Sequence, residues 1–174
     1  MRKFMMLIAM MAITTVANAQ FESGKTFIGA SVTGLDLNYN GAKKWNIGVE
    51  ARAGQFITDN WLLFGQLGYQ HIGDSKVNDL KIGVGGRYYI VQNGLFLGLN
   101  GNYVHETKNY NDFMPALEIG YAFFVSHSLT IEPALYYEQS LSDHKNRSTI
   151  GIKVGLGIYL PKNKIQNSVK EAFK

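Results

Sequence analysis

The chain has 174 residues, no cysteine and a formal net charge of +4, and the lack of cysteine excludes disulfides, zinc–thiolate sites and a lipid-anchored lipoprotein. The charge is uneven, because residues 20–160 hold 11 Lys and Arg against 12 Asp and Glu and the excess lies at the two ends. This nearly neutral body excludes the basic footprint of a nucleic-acid-binding protein.

An export signal begins the chain. Arg2 and Lys3 precede an apolar run over residues 4–13, and Ala17 and Ala19 place small side chains where a signal peptidase reads them. We predict that residues 1–19 are cleaved and that the mature chain begins at Gln20. A retained membrane helix is the alternative, but the apolar run is shorter than the ~20 residues that cross a bilayer.

Between residues 20 and 160, apolar and polar side chains alternate in eight stretches. Alternation with period two predicts β-strands, whereas helices repeat every 3.6 residues. The predicted strands are residues 25–39, 44–57, 61–72, 78–91, 95–107, 114–125, 129–141 and 148–160.

Connections between the strands alternate between two kinds. Residues 58–60, 92–94 and 126–128 form short connections spaced 34 residues apart, and the Asn, Asp and Gly among them tolerate the positive φ of tight hairpins. The intervening polar loops are residues 40–43, 73–77, 108–113 and 142–147. In outer-membrane barrels the tight turns face the periplasm and the loops face outward.

Strand eight shows which face meets lipid. One face carries branched aliphatic side chains from Ile150 to Leu160, and the other carries Lys153, Tyr159 and three glycines. Glycine weakens a strand and packs against nothing, so a glycine-rich face is unfavourable toward water. It suits the lumen of an eight-stranded barrel, which has room only for its own side chains. A soluble, lipocalin-like cup with its apolar face inward is the alternative. We predict an apolar exterior in contact with lipid.

Aromatic side chains on the apolar face gather near both strand ends. Girdles of this kind are expected where a barrel meets the two membrane interfaces. The predicted girdle residues are Trp61, Tyr88 and Phe123 on the tight-turn side and Tyr39, Trp45, Tyr69, Tyr103 and Tyr137 on the loop side.

Three irregularities interrupt the pattern. The apolar residues of strand one move from even-numbered to odd-numbered positions across Gly34, which predicts a β-bulge. Pro133 lacks an N–H inside strand seven, which predicts a local gap or bulge. Four apolar residues fall on the lumen side, and we interpret them as plugs between charged layers: Leu62, Phe64, Ile72 and Phe96.

The lumen face carries the charged residues that form the candidate site. They are Glu50, Arg52, Lys81, Arg87, Glu106, Glu118, Glu132, Glu138 and Lys153. Buried ions persist only when they are paired, so we expect one cluster of Glu118, Glu138 and Lys153 and a second pair of Lys81 with Glu106. A static plug is one interpretation of this network, and a narrow path for ions or small solutes is the other.

Residues 20–160 resemble the small eight-stranded outer-membrane barrels, namely the OmpX-like proteins and the transmembrane domain of OmpA, within the porin-family outer membrane β-barrel group. The likeness rests on strand count, girdles and export signal. It implies an all-β, antiparallel, up-and-down transmembrane barrel in the outer membrane of a Gram-negative bacterium. It also implies a monomer in lipid and lipopolysaccharide, assembled with periplasmic chaperones and the barrel assembly machinery. The chain departs from the family pattern because a 14-residue tail follows Leu160.

No catalytic constellation is expected, and neither is a metal or another cofactor. His127 lies between two serines, but in a tight turn, and strand four separates His71 from His105. The predicted function is therefore a structural or envelope role, with a low-conductance pore as the alternative. Surface adhesion and lipid A modification are less favoured. The basic tail at residues 161–174 is predicted to be periplasmic, either frayed or as a short helix with Ile165, Val169 and Phe173 on one face.

Overall fold

The computed structural model describes residues 21–38, 43–44, 46–72, 77–90, 94–106 and 110–161. The predicted signal peptide, the tail after Pro161 and the girdle residues Tyr39 and Trp45 lie outside these residues.

Eight long strands form a closed antiparallel barrel, as the alternation predicted. They are β1 (Thr26–Asn38), β2 (Asn46–Thr58), β3 (Trp61–Ile72), β4 (Val77–Tyr89), β5 (Leu95–Glu106), β6 (Tyr110–Tyr121), β7 (Leu129–Glu138) and β8 (Thr149–Leu160). Each pairs with its sequence neighbours, and β8 pairs with β1 to close the sheet. Two-residue segments, Lys43–Lys44 and Phe123–Phe124, extend the pairing of β1 and β7. A four-residue helix, α1 (His144–Arg147), lies before β8.

Where the side chains are described, they alternate between the exterior and the lumen along the strands. In β8 each residue from Ile150 to Tyr159 changes face relative to its neighbour, with aliphatic residues exposed and glycines buried. Val84 of β4 and Leu99 of β5 are 69% and 62% exposed, whereas Arg87 is 3% exposed. Apolar residues therefore cover the outside of the barrel, and charged residues lie within it. Within the part of the chain that the structure describes, no helix is long and apolar enough to span a bilayer.

The largest errors in the predicted strand boundaries are in β6 and β7. β6 begins at Tyr110 rather than at residue 114, because Glu106 pairs directly with Tyr110 and leaves only residues 107–109 between the strands. The Asn and Asp residues at its start favour a loop by composition, but Asp112 is buried there and hydrogen-bonded to Ser140. β7 ends at Glu138 rather than at residue 141, and the chain then turns toward α1.

Both predicted backbone irregularities are present. The register of β1 against β8 shifts between Thr33 and Leu35, which confirms the bulge at Gly34. Pro133 remains paired with Val154 of β8. On the other side of β7, the pairing with β6 is interrupted between Gly120 and Phe123 and continues beyond in the same register. Pro133 thus causes a gap but no bulge.

Two of the tight turns adopt the left-handed conformation that their residues favour. Thr58 pairs with Trp61, and Asn60 has a φ of 68°. Gly94, which ends the next turn, has a φ of 91°. A left-handed residue lets two antiparallel strands join in so few residues. A second register shift, between Phe56 and Thr58, had no signal in the sequence.

Substituting glycine is expected to have opposite consequences on the two faces. A Cβ at lumen-facing Gly54 would lie 2.7 Å from Cα of Phe64, whereas at Gly65 on the exterior the nearest atom is 4.0 Å away. Overpacking of this kind costs about 1–3 kcal/mol. We expect Gly54→Ala to lower the free energy of unfolding in lipid vesicles by that amount and Gly65→Ala to leave it nearly unchanged. Equal urea midpoints for the two variants would contradict this packing.

Candidate functional site in the barrel lumen

An aromatic plug fills the lumen at the tight-turn end. Its buried members are Phe21, Phe27, Phe56, Leu62, Phe64, Tyr89, Phe96, Ala122, Ala134 and Tyr159, with Phe124 packed against them. The ring of Phe21 stacks on Tyr89 at 4.0 Å between centroids. The hydroxyls of Tyr89 and Tyr159 lie 3.0 Å apart, and Tyr159 donates to Glu132 at 2.7 Å. The plug is therefore apolar toward the tight-turn mouth, here taken as the bottom of the barrel, and hydrogen-bonded to charged groups on its upper side, toward the loop end.

Directly above the plug lies an ion cluster of six side chains: Glu50, Arg52, Arg87, Glu118, Glu132 and Lys153. Glu118 is at its centre, with a fully buried side chain. Its oxygens lie 2.9 Å from Arg52 Nη1, 2.6 Å from Arg87 Nε and 2.5 Å from Lys153 Nζ. Three cations balance three carboxylates, which is the condition under which buried charge is tolerated.

The two guanidinium groups join the ion cluster to the plug. Arg87 lies over the ring of Phe96 at 4.1 Å, and Arg52 lies over Phe64 at 4.7 Å. Cation–π contacts of this kind strengthen when they are desolvated. Of the predicted apolar plug residues, Phe64 and Phe96 contact the arginines and Leu62 packs in the same aromatic plug. The side chain of Ile72 lies outside the described residues.

A chain of amides and charges crosses the lumen nearer the loop end. Gln66 donates to Asn102, Asn102 donates to Glu138 at 2.8 Å, and Lys81 donates to the other oxygen of Glu138 at 2.5 Å. Asn102 stands in front of Gly83 on the neighbouring strand, where a Cβ would collide with its side chain. Glycine on one strand therefore makes room for a long polar residue on the next.

A polar cavity of about 40 Å³ lies above the ion cluster. It is lined by Glu50, Arg52, Lys153, Glu138 and Gln66, among others. The side-chain oxygens of Gln66 and Asn100, which also lines the cavity, are buried without a hydrogen-bond partner. Since a water needs roughly 10–15 Å³ of such space and two or more polar partners, the cavity has room and donors and acceptors for a few waters.

At the loop end, Asp112 anchors the connection between β7 and β8. Ser140 donates to one of its oxygens, and the Ser142 N–H donates to the other at 3.1 Å. The hydroxyl of Ser148 lies 2.8 Å from His144 Nδ1 and accepts from the Ser140 N–H at 3.2 Å. Ser148 is 1% exposed, so this serine–histidine contact holds the loop and offers no accessible nucleophile.

The structure places the predicted lumen charges in two groups instead of the expected cluster and pair. Lys153 contacts Glu118, but Glu138 belongs to the amide chain with Lys81. The side chain of Glu106 lies outside the described residues.

Sequence reasoning missed two buried acids, Asp79 and Asp112, and the amides of Gln66, Asn100 and Asn102. Asp79 shares the parity of Lys81 in β4, which is the signal that would have found it. Asp112 was assigned to a loop because strand six was predicted to begin later.

Aromatic residues of the predicted girdles lie on the exterior wherever their side chains are described. Trp61 and Tyr88 contact each other with centroids 5.0 Å apart on the tight-turn side. Tyr69 and Tyr103 are 47% and 46% exposed toward the loop end. Phe123 and Tyr137 are half-buried. Phe113, paired with Tyr103 and 51% exposed, belongs to the same belt and had been assigned to a loop.

Histidines and carboxylates do not gather into a metal site in the described residues. His105 is exposed and lies 2.7 Å from Asn111. His127 is exposed on the turn before β7. The side chain of His71 lies outside the described residues.

Neither a protein-family model nor a curated protein matches the chain. Solved structures match its fold at low identity. Neisserial surface protein A is 13% identical, with a TM-score of 0.56 over 78% of this chain and 97% of that one. OprG from Pseudomonas aeruginosa is 14% identical, with a TM-score of 0.53 over 83% and 100%. A barrel from a study of de novo design of transmembrane β-barrels is 17% identical, with a TM-score of 0.51 over 80% and 98%.

The fold is therefore that of the small eight-stranded outer-membrane β-barrels. Because a designed barrel shares it, the likeness defines an architecture and assigns no activity.

Proposed function

We propose that this protein is an integral outer-membrane protein with a structural role in the cell envelope, without catalysis, and with a lumen closed by the ion cluster and the aromatic plug. One observation carries the proposal: the barrel is apolar outside and charged inside. Leu67, Leu80 and Ile152 on the exterior are 58%, 58% and 52% exposed, while Glu118 and Arg87 in the lumen are 4% and 3% exposed. A barrel in water would bury the former and expose the latter.

Fractionation of cells that express the full chain tests the membrane location. We expect the protein in the outer-membrane fraction, and we expect it to migrate faster on a gel before boiling than after, because a folded barrel stays compact in detergent. Recovery in the soluble periplasmic fraction, with the same mobility before and after heating, would overturn the proposal in favour of a soluble cup.

The cavity above the ion cluster favours a second candidate function, a low-conductance pore. Its lining extends from Gln70, toward the loop end, to Arg52 and Lys153, so the ion cluster and the plug lie between it and the tight-turn mouth. Eight strands leave no wide channel, and conduction would need rearrangement of the ion pairs.

Planar-bilayer recording distinguishes the two functions. A structural barrel is expected to be silent, and Glu118→Gln should leave it silent. Reproducible small steps whose size or frequency changes in Glu118→Gln would instead establish the pore. Lys145→Gln is the control, since Lys145 is exposed on α1, outside the ion cluster and the aromatic plug.

The proposed membrane location implies which molecules the protein would contact. Acyl chains would contact the aliphatic exterior, and lipopolysaccharide would contact the loop end. The signal peptide would be cleaved before Gln20, and periplasmic chaperones and the barrel assembly machinery would deliver a monomer. Crosslinking at Leu99, which is 62% exposed on β5, would test the oligomeric state. Crosslinks between the protein and lipid, without crosslinks between two chains, would support a monomer.

A further inference from the structure

One member of the aromatic plug does not belong to the barrel wall. Phe21 precedes β1, yet its side chain is fully buried at the tight-turn mouth. It stacks on Tyr89 and makes edge contacts with Phe124 and Tyr159, each with centroids 5.6 Å apart. The ring therefore stands at the centre of the mouth, among rings that the strands carry.

Residues 21–24, here called the latch, are bound mainly to the β2–β3 hairpin. The Asn60 N–H donates to the Phe21 carbonyl at 2.9 Å, and the Gly24 N–H donates to the Phe56 carbonyl at 2.8 Å. Ser23 adds two exposed bonds, to Asp59 at 2.9 Å and to the Ile57 carbonyl at 3.4 Å. These contacts precede the barrel ladder, which begins at Thr26 in β1.

Gly24 directs the latch into the mouth. Its φ of 86° lies in the left-handed region that glycine adopts readily and other residues adopt at a cost. The chain can thus reverse just before β1 and insert Phe21 into the lumen.

We propose that the latch is a displaceable closure of the tight-turn mouth, which opens by local unfolding while the barrel stays intact. Local openings of this kind involve segments with few ladder bonds and exposed hydrogen bonds. Withdrawal of Phe21 leaves a space bounded by Phe56, Tyr89, Phe124 and Tyr159, below the ion cluster. The latch would close the lumen whether or not the lumen conducts. Only the description of this mouth as periplasmic rests on the proposed function.

Because the chain has no cysteine, one introduced thiol can report on the mouth. Ala122 is a plug residue that is 2% exposed, and Ala122→Cys adds little volume. We expect a charged thiol reagent to label this cysteine slowly in the folded protein in detergent and at least tenfold faster in Phe21→Ala. Gly24→Ala should also accelerate labelling, because it keeps the ring but disfavours the backbone that inserts it. In the parent, the labelling rate should change little with urea below the unfolding transition.

Two controls complete the test. Phe113→Ala removes a ring of the same size from the exterior and should leave labelling at residue 122 unchanged. Ser126→Cys, on an exposed turn, should react equally fast in every variant.

The proposal is overturned if Phe21→Ala labels within twofold of the parent or if labelling rises with urea as steeply as global unfolding. It is also overturned if both Phe21→Ala and Gly24→Ala lose the heat-dependent gel mobility, since the latch would then be part of the folding core. These outcomes are independent of where the protein resides.

Discussion

Replacing Glu118 by glutamine is expected to lower the free energy of unfolding by about 3–5 kcal/mol, the usual cost of breaking a buried ion pair. The substitution keeps the shape of the side chain but leaves Arg52, Arg87 and Lys153 with only Glu50 and Glu132 as counter-charges. The three cations then exceed the remaining carboxylates of the ion cluster by one charge, at a site where their side chains are buried. Urea unfolding in lipid vesicles, followed by the fluorescence of the two tryptophans, Trp45 and Trp61, measures the effect.

A matched series separates charge balance from packing. Glu22→Gln removes a surface pair whose carboxylate is half exposed and should cost less than about 1 kcal/mol. Combining Glu118→Gln with Lys153→Met removes one charge of each sign and should recover part of the loss, as expected for residues that interact directly. If Glu118→Gln unfolded at the same midpoint as Glu22→Gln, the ion cluster would not be what holds the lumen together.

Introducing arginine on the exterior is the second large perturbation. Val84 lies in the middle of β4 and is 69% exposed, so in the proposed membrane orientation Val84→Arg would place a guanidinium against the centre of the lipid. A lipid-facing arginine at the bilayer midplane costs roughly 2–4 kcal/mol. We expect the free energy of unfolding in vesicles to fall by this amount and the yield of folded barrel to fall with it.

The control for this substitution is Ser126→Arg, on an exposed turn outside the lipid band, which should change the free energy of unfolding very little. A Val84→Arg variant that is as stable as Ser126→Arg would show that β4 faces water, and this result would contradict the membrane orientation.

Much of the fold was predictable because strand periodicity is local. The parity of Ile150 and Lys153 in β8 already separates exterior from lumen, since consecutive side chains of a strand point to opposite faces. The bulge at Gly34 and the gap at Pro133 were also predictable, because both follow from the properties of single residues. The start of β6 was not, because Asp112 is stabilised by Ser140, a residue 28 positions away in sequence.

The partners within the lumen were not predictable from spacing. Arg52 and Glu118 are 66 residues apart, and Lys81 and Glu138 are 57 apart. Parity assigns each of them to the lumen but does not give their relative heights, which depend on the stagger of strands around the closed barrel. Lys153 therefore meets Glu118, whereas Glu138 lies too far toward the loop end and pairs with Lys81 instead.

The sequence by itself determined the number of strands, the face that each turns to the barrel exterior and the ends at which turns and loops lie, because these properties depend on neighbouring residues. Only the tertiary structure decided that three cations converge on Glu118, that the arginines rest on aromatic rings and that Phe21, from outside the strands, closes one mouth. Closure of the sheet places residues from distant strands opposite one another, and the geometry of the closed barrel sets which of them meet.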